Sequence, residues 1–210
     1  MSARPDFPFI IKVCGITSEE DARLAVEAGA NALGFNFYTK SPRFIAADVA
    51  REIAEAVSGD YLRVGVFVNP SLKELSETVN RSQLDVVQLH GRHSPAISSL
   101  RVWRAIRPDD NLESAPVEAY LLDTPSDGIG GSGNTFDWKL AANRPFRVII
   151  AGGLDGSNVA GAITAALPWG VDACSRIESS PGKKDARKVR HFVAAAREAF
   201  RIHLQQEISI

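Results

Sequence analysis

Several features that would indicate a particular class of protein are scarce in the 210-residue chain. It has two cysteines, Cys14 and Cys174, which are too few for the disulfide framework of a small secreted protein. Its net charge of −1, from 24 basic and 25 acidic residues, provides no basic surface for nucleic acid or an anionic membrane. No uncharged apolar run approaches the roughly 18 residues that a membrane span requires. We therefore expect a cytoplasmic protein that binds neither nucleic acid nor a membrane.

The composition is that of an ordinary folded protein. Hydrophobic residues make up 45% of the chain and charged residues 23%, which is too apolar for a disordered chain. The length is typical of one domain, and no repeat, linker or low-complexity tract divides the sequence. A single-domain enzyme is the leading class before any motif is considered.

Eight short β-branched or aromatic runs recur along the chain, and several are almost continuously hydrophobic, as in Val64–Val68. Such runs are typical of parallel strands that helices cover on the outside. The predicted strands are Ile10–Ile16, Ala32–Tyr38, Arg63–Asn69, Val86–Gly91, Val102–Ile106, Ala119–Asp123, Arg147–Gly152 and Gly170–Cys174.

Helical patterns lie between the strands. Thr17 with Glu20, and Ser71 with Glu74, have the spacing of a capping box at a helix start. The connection 107–118 contains two prolines, so the fifth helix is expected to be reduced or missing, and the sixth, near residues 138–142, also looks short.

Eight strand–helix units in one small domain indicate an α/β fold, a single (β/α)8 TIM barrel, over an open doubly wound sheet. We assign residues 10–203 to the barrel, 1–9 to a flexible N-terminal extension and 204–210 to a C-terminal tail.

The active site of such a barrel lies where the strands end. Cys14 ends the first predicted strand and Asp123 the sixth, while glycine-rich turns follow strands six, seven and eight. The turns at Gly152-Gly153 and after Ser175 stand where these barrels bind phosphate, because glycines let backbone N–H groups approach an anion. The alternative for Gly152-Gly153 is a tight turn without a ligand.

An ordered set of segments resembles phosphoribosylanthranilate isomerase, from about Lys12 to Phe192. The segments are Lys12–Thr17, Gly34–Arg43, Val64–Asn69, Val87–Gly91, Leu121–Thr124, Gly130–Trp138, Ala151–Leu154 and Asp172–Lys183. The resemblance implies a small barrel with a reduced fifth helix that acts in tryptophan biosynthesis. It also implies the Amadori rearrangement of N-(5-phosphoribosyl)anthranilate to 1-(2-carboxyphenylamino)-1-deoxyribulose 5-phosphate. A small phosphorylated substrate, no metal, no cofactor, and a monomer or homodimer are expected.

The same resemblance implies roles for individual residues. Asp123 is expected to be the general acid and Cys14 the general base. Arg43, His90 and Asp172 are expected to bind the substrate, with Arg43 on the anthranilate carboxylate and His90 lining the pocket. Taken singly, Cys14 can also be a buried structural cysteine, Arg43 a solvated loop residue and His90 a structural hydrogen-bonding histidine.

Two further expectations come from the strand alternation and from the loops. Lys12 shares a face with Cys14, and Asp172 lies on the neighbouring strand, so a buried Lys12–Asp172 ion pair is predicted beneath the substrate. Gly152, Gly153, Ser175 and Arg176 are expected to bind the phosphate.

The chain departs from the family pattern at two positions, because Cys174 stands where serine is usual and Arg176 where glycine is usual. We predict that the Arg176 side chain reaches the phosphate or the mouth of its loop; the alternative is a solvent-exposed side chain without a role.

Two other functions remain open at this stage. One is another phosphate-binding barrel, such as indoleglycerol-phosphate synthase or a pentose-phosphate epimerase, which would need a catalytic Lys and Glu pair or metal ligands at strand ends. The other is a non-catalytic barrel that serves as a binding module, against which Cys14, Asp123 and the glycine loops argue.

Overall fold

The structure, a computed structural model, describes residues 6–91, 100–110, 116–124 and 135–208, with side chains to residue 205. Eight parallel strands form a closed barrel in which each strand pairs with its sequence neighbour and the last with the first. All eight predicted strands are confirmed, with boundaries that agree within two residues. They are β1 (Ile10–Cys14), β2 (Ala32–Asn36), β3 (Leu62–Val68), β4 (Val86–His90), β5 (Arg101–Ile106), β6 (Ala119–Leu122), β7 (Val148–Ile150) and β8 (Gly170–Ala173).

Helices cover the outside of the barrel. They are α1 (Glu19–Ala28), α2 (Ala47–Ala56), α3 (Leu72–Ser82), α4 (Val159–Ala166) and α5 (Ala186–Ile208), and a short hairpin, β9 (Glu178–Ser180) and β10 (Lys183–Lys184), precedes α5. In the described residues between β6 and β7 (123–124 and 135–147), the one helical element is a 3₁₀ turn, Trp138–Ala141, which confirms the short sixth helix. After β5 no helix occurs in the described residues 107–110 and 116–118, as the two prolines suggested. The glycine-rich segment predicted after β6 falls largely on residues 125–134, outside the described ranges.

One of the two predicted capping boxes is confirmed. At α3 the Ser71 hydroxyl accepts from the Glu74 N–H, and the Glu74 carboxylate accepts from the Ser71 N–H. The box at Thr17 was wrong, because Ser18 caps α1 and accepts from the backbone N–H of Asp21. Thr17 instead donates its hydroxyl to the carbonyl of Gly182 at 2.6 Å, which ties the first loop to the hairpin after β8.

Strand alternation divides the barrel interior into an apolar lower part and a polar upper part. Lumen-facing residues near the strand starts form a closed cluster that includes Ile10, Leu62, Val86 and Trp103, with almost no exposed surface. The next lumen positions toward the strand ends are polar, such as Lys12 on β1 and Gln88 on β4. The outward-facing residues, such as Val13, pack against the helices. In the lumen, the polar residues Lys12 and Gln88 therefore lie above this apolar cluster, toward the C-terminal ends of the strands.

The segment just before β1 contacts the last helix beside the barrel. The Phe9 ring stacks on Phe200 of α5 at a centroid distance of 4.5 Å. Helix α5 continues to Ile208, beyond residue 203, where we placed the end of the barrel. The division into extension, barrel and tail stays a prediction. Among the described residues, no helix is both long and apolar enough to cross a membrane.

Candidate active site

A cavity of about 610 Å³ opens at the C-terminal ends of the strands. It is lined by all nine residues predicted for the site: Cys14, Arg43, His90, Asp123, Gly152, Gly153, Asp172, Ser175 and Arg176. Because these residues come from strands and loops far apart in sequence, the barrel closure is what brings them together.

Asp123 directly follows β6 and faces the cavity. Burial raises the pKa of its carboxyl to about 6, although a hydrogen bond from the Thr124 N–H opposes the shift. Gly152 lets the neighbouring strand approach this carboxyl: its φ is +80°, and a Cβ there would collide with Thr124 and lie 2.8 Å from Asp123 Oδ1. Asp123 is thus a partly desolvated carboxyl that holds its proton to higher pH than an exposed one.

Cys14 ends β1 and is 8% exposed, with its sulfur in the cavity. A hydrogen bond from Cys174 lowers the pKa of the Cys14 thiol well below its usual value, against the effect of burial. The charge of Lys12, two residues earlier on the same face, acts in the same direction. These contacts therefore favour the thiolate form of Cys14.

The predicted ion pair beneath the cavity is confirmed. Lys12 Nζ lies 2.9 Å from both carboxylate oxygens of Asp172, and both residues are buried. Burial alone would lower the pKa of Lys12, but the charges of Asp172 and Cys14 outweigh it, and the pKa is raised. Gly34 on β2 is required here, because a Cβ would lie 2.8 Å from the Cys14 sulfur and 3.0 Å from Lys12 Nζ.

Two residues beside Arg43, Glu178 and Lys184, were not predicted from the sequence as part of the site. The Glu178 carboxylate accepts hydrogen bonds from Arg43 Nε at 2.9 Å and Arg43 Nη2 at 2.7 Å. It also accepts one from Lys184 Nζ at 2.9 Å. Burial opposes ionisation of Glu178, but Arg43 and Lys184 lower the pKa of its carboxyl. The segment around Glu178 was recognised as a phosphate loop, and nothing in the spacing indicated that it returns to the Arg43 loop.

His90 and Gln88 occupy successive lumen positions of β4. Burial lowers the pKa of His90 to about 4, so the imidazole is neutral at neutral pH. Its Nε2 lies 2.8 Å from Gln88 Nε2, which makes the ring nitrogen the acceptor of this hydrogen bond. Gln88 Oε1 is buried and has no hydrogen-bond partner among the described residues, which leaves an acceptor at the cavity wall.

The other end of the cavity is formed by the turns after β7 and β8. Gly152 and Gly153 both have positive φ, and Asn158 Nδ2 holds the turn by donating to the Gly153 carbonyl at 2.7 Å. Arg176 lies at the rim with its side chain 42% exposed, and its Nε donates to Asp155 Oδ2 at 2.6 Å. Arg176 is not among the residues with positive φ, so its backbone does not need the glycine that is usual there.

The arrangement suits proton transfer on an anionic substrate. An aspartic acid on β6 and a cysteine on β1 face one cavity, with Arg43 at one end and glycine turns with Arg176 at the other. Among the described residues, no three His, Cys, Asp or Glu side chains are grouped as metal ligands.

Fold and site together define a small (β/α)8 barrel with an acid–base cavity and glycine turns where such barrels bind phosphate. A family model described as N-(5′-phosphoribosyl)anthranilate (PRA) isomerase matches residues 11–195. The chain belongs to this family.

Individual relatives agree with the family assignment. The N-(5′-phosphoribosyl)anthranilate isomerase of Solibacter usitatus is 50% identical over 198 residues, which cover 90% of this chain and 98% of that protein. A phosphoribosylanthranilate isomerase solved with reduced 1-(o-carboxyphenylamino)-1-deoxyribulose 5-phosphate is 33% identical, with a TM-score of 0.78 over 90% of this chain and 99% of that one. Monomers generated from the dimeric Thermotoga maritima enzyme are 34% identical, with a TM-score of 0.75 over the same shares.

Proposed function

We propose that this barrel is a phosphoribosylanthranilate isomerase of tryptophan biosynthesis, which converts N-(5-phosphoribosyl)anthranilate to 1-(2-carboxyphenylamino)-1-deoxyribulose 5-phosphate with Asp123 as general acid and Cys14 as general base. The observation that carries the assignment of roles is the contrast between their surroundings. Burial favours the protonated form of Asp123 by raising its pKa to about 6, whereas Cys174 and Lys12 favour the thiolate of Cys14. The two surroundings therefore favour the opposite protonation states that the reaction needs.

In the first step Asp123 donates its proton to the furanose ring oxygen. The C1–O bond breaks as the nitrogen lone pair forms the C=N bond, and the sugar opens to a protonated Schiff base. Because Asp123 lies in a partly desolvated site, it is a carboxyl that can still carry the proton near pH 6.

In the second step the Cys14 thiolate removes the C2 proton. The electron pair of the C–H bond moves toward the iminium and gives an enolamine, which tautomerises to the ketone. The fixed charge of Lys12 lies beside the sulfur and keeps the thiolate available, while Asp172 holds Lys12 in place.

The two ends of the cavity position the substrate. Glu178 occupies Nε and one Nη2 hydrogen of Arg43, so the anthranilate carboxylate is proposed to bind the Nη1 edge. Gly152, Gly153, Ser175 and Arg176 are proposed to bind the phosphate, and Gln88 Oε1 and neutral His90 to face the sugar.

The function is tested with the purified chain by following the loss of fluorescence of N-(5-phosphoribosyl)anthranilate. Turnover that depends on Cys14 and Asp123 supports the proposal, and a rate equal to that of the enzyme-free solution overturns it.

We propose the cytoplasm as the compartment of this protein, because the base must be a free thiol and the cytosol keeps thiols reduced. A monomer and a homodimer are both compatible with the proposal, which concerns a cavity within one barrel.

The pH dependence of kcat/KM is expected to show an alkaline limb at about pH 6. Asp123 must be protonated to act, and its pKa is about 6, so kcat/KM falls about tenfold per pH unit above that value. The negative charges of bound substrate raise this pKa, so the limb in kcat lies at higher pH. Rates from pH 5 to 9 check this, and a kcat/KM that rises from pH 6 to 8 contradicts it.

Arg176→Gly is expected to raise KM several-fold at unchanged kcat, because in this proposal the guanidinium binds the phosphate and not the reacting carbons. Asp155→Asn is the matched variant: it releases Arg176 from the carboxylate that now holds it and should lower KM. The competitive inhibition constant of inorganic phosphate should follow the same order. Unaltered constants in Arg176→Gly across a range of salt concentrations would leave the residue without a role.

A further inference from the structure

The two cysteines of the chain meet at the floor of the cavity. β1 and β8 pair in parallel with Lys12 opposite Asp172 and Val13 opposite Ala173, which brings Cys14 and Cys174 opposite each other at the next position. Paired strands lie about 4.8 Å apart, within the Cα separation of about 4.4–6.8 Å that a disulfide spans. The Cys174 sulfur also lies beside Gly15, the residue after Cys14, because a Cβ at Gly15 would be 3.0 Å from it. Both cysteines are free.

The pair is accessible and asymmetric. Both side chains line the cavity, so a small solute can reach them. Cys14 is flanked by the ammonium of Lys12. The Cys174 sulfur lies 3.9 Å from Glu178 Oε1 and 4.0 Å from Lys184 Nζ, and its contact with Cys14 together with burial raises the pKa of the Cys174 thiol. A thiolate with a neighbouring thiol and a path to solvent is the arrangement of a reactive cysteine with its resolving partner.

We propose that Cys14 and Cys174 form a peroxide-reactive site that closes to a disulfide and reversibly switches off the isomerase. The Cys14 thiolate attacks one oxygen of hydrogen peroxide; the S–O bond forms, the O–O bond breaks, and the released hydroxide takes a proton to become water. Cys174 then attacks the sulfenic sulfur; the S–S bond forms, the S–O bond breaks, and the proton of Cys174 completes the second water. Two thiols lose two electrons, and one peroxide is reduced to two waters.

The loss of isomerase activity on oxidation rests on the proposed function, in which Cys14 is the base. Formation of the Cys14–Cys174 disulfide does not depend on that role. A disulfide removes the thiolate that must take the C2 proton. Serine, which is usual at position 174 in the resembling family, can donate the same hydrogen bond but cannot close the disulfide. The site is therefore a property of this chain's Cys174.

The experiment compares the full chain with Cys174→Ser, with each activity expressed as a fraction of that protein's own starting value. Both are treated with a few equivalents of hydrogen peroxide, assayed, and treated with dithiothreitol. The native chain should lose its activity, both free thiols and about 2 Da of mass, and should regain most of its activity on reduction. Cys174→Ser should gain about 32 Da as the sulfinic acid and stay inactive after reduction.

Three outcomes overturn parts of the proposal separately. A native chain that gains oxygen atoms and does not lose about 2 Da of mass overturns the disulfide. A disulfide that forms while activity persists overturns the switch and the base role of Cys14. A disulfide seen by mass in an enzyme with no isomerase activity at the start overturns the proposed function and leaves the bond established.

Discussion

Asp123→Asn and Cys14→Ala are each expected to lower kcat on the order of 100-fold or more, with little effect on folding. Asparagine has nearly the shape of aspartic acid but carries no acidic proton for the ring oxygen. Alanine leaves no group to take the C2 proton. Because the two anions of the substrate are proposed to bind at Arg43 and at the glycine turns, and not at these two side chains, KM should change much less than kcat. Steady-state rates and thermal unfolding curves of both variants check this.

Asp60→Asn provides a matched control for the acid, since Asp60 is exposed before β3 and does not line the cavity. Its kcat should equal that of the native chain. Cys14→Ser separates basicity from position, because a hydroxyl keeps the hydrogen-bonding site but is a far weaker base near neutrality. Near-native turnover in both Asp123→Asn and Cys14→Ala would show that the assigned mechanism is wrong.

The barrel could be predicted from the sequence because its strands are buried on both faces. Runs such as those of β3 and β4 consist mostly of hydrophobic residues, and eight such runs recur along the chain. The Lys12–Asp172 pair could also be predicted, because alternation along β1 and β8 and the closure of the barrel put Asp172 opposite Lys12. The other cross-strand neighbour of Lys12, Ala32 on β2, carries no charge.

Contacts made by loops could not be predicted in the same way. The hairpin after β8 brings Glu178 and Lys184 back to Arg43, and no periodicity in the sequence records where such a loop returns. Thr17 failed as a cap for the same reason, because the Gly182 carbonyl of that hairpin takes its hydroxyl. Arg176 was expected near the phosphate loop, but its partner Asp155 lies on a different loop and was not foreseen.

Lys12→Met is expected to lower the free energy of unfolding by about 3–5 kcal/mol, because it leaves the Asp172 carboxylate buried without its partner. Burial raises the pKa of Asp172 to about 7 with Lys12 opposing the rise, so without Lys12 the pKa lies higher still. A carboxyl with a raised pKa in the folded state binds protons more tightly there than in the unfolded chain. The stability of Lys12→Met should therefore fall as the pH rises from 5 to 8. Its deficit against the native chain should grow above about pH 7, where Asp172 of the native chain ionises and Asp172 of the variant does not.

Urea unfolding at several pH values checks this prediction, with two companion variants. Lys12→Met/Asp172→Leu removes both charges and should recover most of the lost stability, because a buried pair is costly to break but inexpensive to replace by apolar side chains. Arg23→Met breaks the exposed pair with Glu19 on α1 and should change the unfolding free energy by less than about 1 kcal/mol. A Lys12→Met protein as stable as Arg23→Met at pH 8 would show that the pair contributes nothing to holding Asp172 in the barrel. A double variant no more stable than Lys12→Met would show that the loss comes from packing around Lys12 and not from the unpaired carboxylate.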